Sequence, residues 1–182
     1  MGHSMGGKVA QYLLATRLRG LVRGLVLVAP APASGFALPE AMKEQQLHAY
    51  DSLDSARFVI SNVLLSSHTA VSASELEALA EDAVSWSPEA KAAWPGYAMA
   101  EDLQSEVCAS LEVNSAALPV LVVVGQDDRV ETAQNVEEMV VQVLEEAGAS
   151  LKAEHFERVG HLVPVEAAER LSRVIGHFVN TL

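Results

Sequence analysis

Near the start of the chain, Gly2-His3-Ser4-Met5-Gly6-Gly7 sets a serine among small residues. A serine at a tight strand-to-helix turn holds its hydroxyl exposed in a strained conformation. Small neighbours are needed there, because side chains would collide with the adjoining strand and helix. The helix that follows points its positive end at the serine, which favours an oxyanion beside it. Asp127 and Asp128 follow the strongest apolar run, Pro119 to Val124, after Gly125-Gln126, and His161 follows Gly160 after the next strand-like segment. Catalytic and ligand-binding groups in open parallel sheets collect beyond the carboxyl ends of strands. Singly these are a moderately specific G-x-S-x-G, two turn aspartates and a loop histidine. Together, Ser4, Asp128 and His161 stand at three different strand ends and are the three residue types that one chemistry needs. Serine is a weak nucleophile until a histidine takes its proton, and the histidine needs a carboxylate to fix its tautomer and stabilise its charged form.

The elements that must carry this trio are legible in the hydropathy. Val9, Leu13, Leu14 and Leu18 have helical spacing over 6–18, with Arg17 and Arg19 in the last turn and Gly20 after it. Leu25 to Val28 is an apolar run without alternation, closed by Ala29-Pro30-Ala31-Pro32; such a run predicts a strand buried on both faces of a parallel sheet. Pro119 to Val124 predicts a second strand and Ser150 to Val159 a weaker third. Thr132 to Ala147 predicts a helix stopped by Gly148, and Pro164 opens a last one carrying Ala168, Leu171, Val174, Ile175, Phe178 and Leu182. Strand and helix alternating with short links predict right-handed crossovers and an α/β fold, a parallel sheet with flanking helices. The stretch from 36 to 114 breaks the rhythm. It is rich in Ala, Ser and Glu, holds Trp86 and Trp94, and shows helical patterns but no convincing strand. It is expected to be a helical insertion acting as a lid, between a core segment at 1–35 and a second one at 115–182. Three strands are recognisable; the serine motif requires one before it, and that strand is expected to be missing. The inner sheet edge is expected to lie open, which invites self-association.

Composition excludes other classes. The chain has 182 residues, 24 acidic and 12 basic, a formal charge of −12 and a pI near 4.8. Nucleic-acid backbones and anionic membranes both require clustered Lys and Arg, so neither is an expected partner. Met1 runs into the serine motif without a charged and then apolar leader, so no signal peptide is expected. A single cysteine, Cys108, fits a reducing cytoplasm and reads as a small buried apolar residue. His48, His68, His155 and His177 have no metal-ligand spacing with one another or with Cys108, and no phosphate-binding Gly-Lys loop is present; neither metal nor cofactor is expected.

With these residues in hand, the sequence resembles the α/β-hydrolase-fold serine hydrolases of the esterase/lipase kind. Gly-His-Ser-Met-Gly-Gly, Val-Leu-Val-Val-Val-Gly-Gln-Asp-Asp and Gly-His-Leu-Val-Pro match that family's pattern in order, with a helical insertion where the family often carries a cap. The resemblance spans essentially the whole chain but only the C-terminal part of the fold, from the nucleophile elbow onward, so the fold's N-terminal strands are expected to be missing. It implies Ser4 as nucleophile, Asp128 as acid and His161 as base. Asp128 is preferred to Asp127 because the family's acid usually sits three positions after the strand-ending glycine. It further implies the Met5 N–H as one oxyanion donor, and Gly2 and Gly6 as the elbow glycines.

The expected function is hydrolysis of a carboxylic ester, thioester or lactone of a hydrophobic small molecule through an acyl-enzyme. His3, Trp94, Tyr97 and Met99 are the candidate pocket residues, with Met42, Tyr50, Phe58 and Trp86 as further apolar groups of the lid. A serine at the elbow argues against dehalogenase and epoxide-hydrolase chemistry. Cofactor-free perhydrolase or C–C bond hydrolysis on the same trio stays open. So does a non-catalytic remnant, or a half-domain that needs a complementary chain, since the loop for a second oxyanion donor would precede Met1.

Overall fold

The computed structural model describes residues 1–16, 20–112 and 117–182. The helix end expected at Arg17, Leu18 and Arg19, and the end of the insertion at Asn114, lie outside the described residues.

Four parallel strands, β1 (Gly2–His3), β2 (Leu25–Val28), β3 (Pro119–Gly125) and β4 (Ser150–Phe156), form one sheet in the order β1-β2-β3-β4. The sheet therefore has one strand more than the hydropathy predicts. β1 is only Gly2 and His3, paired with Leu27 and Val28, and two residues carry no apolar pattern to read. β2 and β3 are apolar at successive positions because both faces are covered. Leu25, Leu27, Val120, Val122 and Val124 enter one buried cluster, while Val26, Val28, Leu121 and Val123 enter another.

On the first face lie α1 (Met5–Tyr12), α6 (Gln104–Glu112) and the helical stretch α7 (Ala133–Val136) to α8 (Gln142–Glu146), contributing Ala10, Val107, Leu111, Val136, Val140 and Leu144. The α7–α8 stretch opens on Thr132, whose hydroxyl accepts from Asn135 N–H at 3.2 Å. It passes through a π-helical turn at Glu137–Val141 and ends where Gly148 takes φ 94°, as a glycine does past a helix end. On the second face, α9 (Val163–Glu166) and α10 (Ala168–Val179) bring Val163, Leu171 and Phe178 against Phe156. The last helical pattern is thus two helices, interrupted where Ala167 leaves helical geometry at φ −141°, ψ 41°.

Between β2 and β3 the described residues contain no strand. They form α2 (Glu40–Leu47), α3 (Leu53–Val59), α4 (Ala73–Ser85), α5 (Pro88–Ala93) and α6. α3 and α5 run on into π-helical turns at Ile60–Leu64 and Trp94–Ala98. Ser52 and Ser72 close capping boxes at the starts of α3 and α4, each satisfying two backbone donors that would otherwise lack partners. Ala56, Ile60, Leu65 and Ala80 make a small separate core under these helices. No helix among the described residues is long and apolar enough to cross a membrane.

Leu27 is fully buried at the centre of the sheet. Leu27→Ala is expected to lower unfolding stability by about 2–5 kcal/mol, measured by urea denaturation, whereas Leu21→Ala, at a site 79% exposed, stays within about 0.5 kcal/mol.

Candidate active site

Ser4 stands between β1 and α1 with φ 52° and ψ −126°, a conformation that costs a non-glycine residue about 1–3 kcal/mol and persists only where its surroundings over-determine it. Here they do. Ser4 N–H donates to Val28 O at 3.0 Å, and Ser4 O accepts from Gly7 N–H at 2.7 Å and from Ala31 N–H at 3.1 Å. The chain turns so tightly that a Cβ on Gly2 would lie 2.1 Å from Gly6 O. Gly6 itself does not need to be small: a Cβ there would meet nothing within 4 Å, whereas on Gly7 it would stand 2.7 Å from Pro30 Cβ and 2.9 Å from Pro30 Cα. The steric role expected of Gly6 therefore falls to Gly7, because the first turn of α1 directs Gly7 at the segment after β2 and Gly6 away from it.

Ser4 Oγ–H donates to His161 Nε2 at 2.8 Å, and His161 Nδ1–H donates to Asp128 Oδ2 at 2.8 Å. The carboxylate, which can only accept, assigns this tautomer. Asp128 and His161 are both buried, at 4% exposure each. The second Asp128 oxygen, Oδ1, accepts from Val130 N–H at 2.8 Å and Glu131 N–H at 3.0 Å, which aims Oδ2 at the imidazole. Asp127 turns elsewhere, accepting from Ser66 Oγ–H at 2.5 Å. Met5 is the first residue of α1, so its N–H is among those with no acceptor inside the helix.

His3 lies beside the imidazole, its ring tilted 43° to it. Its Nε2–H donates to His161 O at 2.8 Å, and the two rings are 5.1 Å apart. Burial, the largest influence, pushes the His3 pKa down and favours the neutral ring. Trp94 and Met99 sit at the seam between the insertion and α1. Trp94 packs edge-on to Phe36 at 6.1 Å, and Met99 is 5% exposed. Tyr97 is 61% exposed, as are Met42, Phe58 and Trp86 at 50%, 64% and 47%. The pocket wall expected of Tyr97 is thus turned to solvent, and Trp94 serves packing between insertion and core.

Two buried charged groups near the trio had no local signal in the sequence. Lys8, one turn beyond Ser4 and 3% exposed, donates from Nζ to Glu101 O at 2.6 Å and to Ser34 O and Met99 O at 3.3 Å; burial pulls its pKa down. Glu131, 6% exposed, has its pKa pushed up to about 8 by burial first and by the charge of Asp128 second. Ser66 and Glu166 were missed too, since each acts on segments far off in the chain. No group of three His, Cys, Asp or Glu side chains among the described residues could hold a metal ion.

A protein-family model described as "Serine aminopeptidase, S33" matches residues 1–167. No curated protein matches the chain. Among solved structures, the bromoperoxidase from Bacillus anthracis superposes with a TM-score of 0.78 at 16% identity, over 98% of this chain and 66% of its own. The esterase from Exiguobacterium antarcticum superposes with a TM-score of 0.76 at 18% identity, over 98% of this chain and 65% of its own. A thermophilic esterase from Thermogutta terrifontis gives a TM-score of 0.72 at 26% identity, over 99% of this chain and 63% of its own. The chain thus spans somewhat under two thirds of the length of these structures.

Two outcomes follow from this geometry. Gly7→Ala is expected to cost about 1–3 kcal/mol from overpacking, while Gly6→Ala is neutral or stabilising by less than about 1 kcal/mol; thermal unfolding of the two variants decides. Glu131 binds a proton on folding between its unfolded pKa of 4.5 and its folded value of about 8, so its contribution to stability falls as pH rises across that window. Relative to the parent chain, Glu131→Gln should therefore gain stability progressively from pH 5 to pH 8, read from urea midpoints at each pH.

Proposed function

The chain belongs to the serine aminopeptidase S33 family, within the α/β-hydrolase-fold serine hydrolases, and on that premise we propose that it hydrolyses carboxylic esters of small hydrophobic molecules through an acyl-enzyme on Ser4. The carrying observation is the continuous hydrogen-bond chain from Ser4 Oγ through His161 to Asp128, 2.8 Å at each link. As Ser4 Oγ attacks the ester carbonyl, its proton passes to His161 Nε2 and the oxygen–carbon bond forms. Asp128 stabilises the resulting imidazolium and keeps it oriented. The carbonyl oxygen, now negative, faces the Met5 N–H and the positive end of α1. Collapse breaks the bond to the alkoxy group, which leaves with the proton from Nε2. Water then repeats the sequence on the acyl-serine, with His161 as base, and releases the acid.

The esterase from Thermogutta terrifontis, 26% identical across 99% of this chain, supports an ester as the substrate class. In this reading the helices α2 to α5 of the 36–114 segment form a cap, over a core made by 1–35 and 115–182 that α6 (Gln104–Glu112) joins through Val107 and Leu111.

The test is hydrolysis of a p-nitrophenyl ester series, together with labelling by a fluorophosphonate probe and mass mapping of the labelled peptide. Label on Ser4 and ester turnover are expected, and Ser4→Ala or His161→Ala should lower turnover by about 10³-fold or more. Amino-acid p-nitroanilides in parallel separate esterase from aminopeptidase action. Turnover that survives Ser4→Ala, or a chain that neither turns over esters nor takes the label, overturns the reading.

A further inference from the structure

Five residues beyond His161, Glu166 closes the short helix α9, and its carboxylate gathers the chain from two directions. Gly160 N–H lies 3.0 Å from both Oε1 and Oε2. Oε2 also accepts from Ser66 N–H at 2.9 Å and from Thr69 Oγ1–H at 2.6 Å. Hydrogen bonds to a carboxylate are about twice as strong as neutral ones, so this one group ties the residue before His161 to a segment nearly a hundred positions upstream. That segment holds the next peptide as well, since His161 N–H donates to Leu64 O at 2.7 Å. The fit is close: a Cβ on Gly160 would lie 2.6 Å from both Leu64 O and Ser66 N. The same segment reaches the loop of the acid. Ser66, 2% exposed, donates from Oγ to Asp127, and Arg129 Nη1–H donates to Asn62 O at 2.7 Å.

We infer that Glu166 is a positioning residue. By clamping Gly160 and the 66–69 segment together, its carboxylate holds the His161 backbone where Nε2 meets Ser4 Oγ and Nδ1 meets Asp128. The insertion is in this sense part of the machinery: the His161 loop has no fixed place without residues 64–69, and Glu166 is the joint between them. This inference rests on the reading of Ser4, His161 and Asp128 given above.

The experiment follows two readouts in the full chain, for the parent and for Glu166→Ala, Glu166→Gln and Thr69→Ala. One is the rate of fluorophosphonate labelling of Ser4. The other is the proton resonance of the imidazole N–H shared with Asp128, identified by its loss in His161→Ala. Glu166→Ala should slow labelling by about 10- to 100-fold, the scale of a misplaced catalytic group, and broaden or abolish the resonance. Glu166→Gln keeps one oxygen for Ser66 N–H and Thr69 Oγ1–H but opposes Gly160 N–H with a second donor, so it should rescue both readouts in part. Thr69→Ala removes a single donor and should have the smallest effect. If Glu166→Ala does not fold, the other two variants decide by the same readouts. Folded variants with the parent's labelling rate and an unchanged resonance overturn the inference. A parent chain that shows the resonance but takes no label overturns the hydrolase reading, and the resonance in the variants then judges Glu166 alone. A parent with neither overturns both.

Discussion

Everything at the site depends on a backbone held against its own preference at Ser4. With φ 52° and ψ −126° the serine is unfavourable in isolation, and its N–H and carbonyl are fixed by Val28, Gly7 and Ala31. Those anchors are firm only because β2 is buried along its whole length between two layers of side chains. The strain is repeated along the same sheet edge: Ala29, just past β2, has φ 42°, and Arg158, just past β4, has φ 61°. Ala29 N–H is in turn caught by Val123 O at 2.7 Å. The carboxyl ends of the strands thus store strain while their middles supply the apolar burial that offsets it.

The helices between β2 and β3 are fastened to this edge at two places. On one side, the segment after β2 and the segment before α6 lie together, with Phe36 N–H donating to Met99 O at 3.0 Å and Leu103 N–H to Ala33 O at 2.9 Å. Lys8 from α1 then donates to carbonyls of both segments. On the other side, Asn62, Leu64, Ser66 and Thr69 meet the loops that carry Asp128 and His161. The first fastening reaches the helix of the serine, and the second reaches the loops of its two partners. Movement of the insertion at either place would therefore be felt at a different member of the trio.

How much of this is legible in the sequence depends on how far apart the interacting residues lie. β2 and β3 read correctly because burial on both faces leaves an apolar run without alternation, and the α7–α8 stretch reads correctly because Thr132 and Gly148 mark its ends. β1 escapes because two residues have no periodicity. Choosing Gly7 over Gly6 as the small residue needs the direction of the first turn of α1 relative to Pro30, which spacing does not contain. The break at Ala167 has no glycine or proline at the break itself to announce it. The order Ser4, Asp128, His161 is visible as a pattern, but their meeting is not: His161 and Ser4 are 157 positions apart. Glu166 and Ser66 are hidden for the same reason. Each is an ordinary polar residue among its neighbours, and only the fold puts them 2.9 Å apart.

The two buried charges beside the trio resolve into opposite solutions of one problem. An ion taken out of water must be solvated by the protein or give up its charge. The three Lys8 donors meet three carbonyl oxygens, and the Trp94 ring lies 5.9 Å from Nζ, so the dipoles of the seam replace water and the ammonium persists although burial lowers its pKa. The Glu131 carboxyl has no hydrogen-bond donor among the described residues. It lies close enough to Asp128 to feel that charge, and its pKa rises to about 8. Near neutral pH it is then mostly protonated. That matters because its own N–H helps to aim Asp128: an ionised Glu131 would bring a second negative charge to the same loop. By staying neutral, Glu131 leaves Asp128 as the carboxylate that orients the imidazole, so the burial that makes Glu131 costly to ionise also keeps the charge pattern of the trio simple.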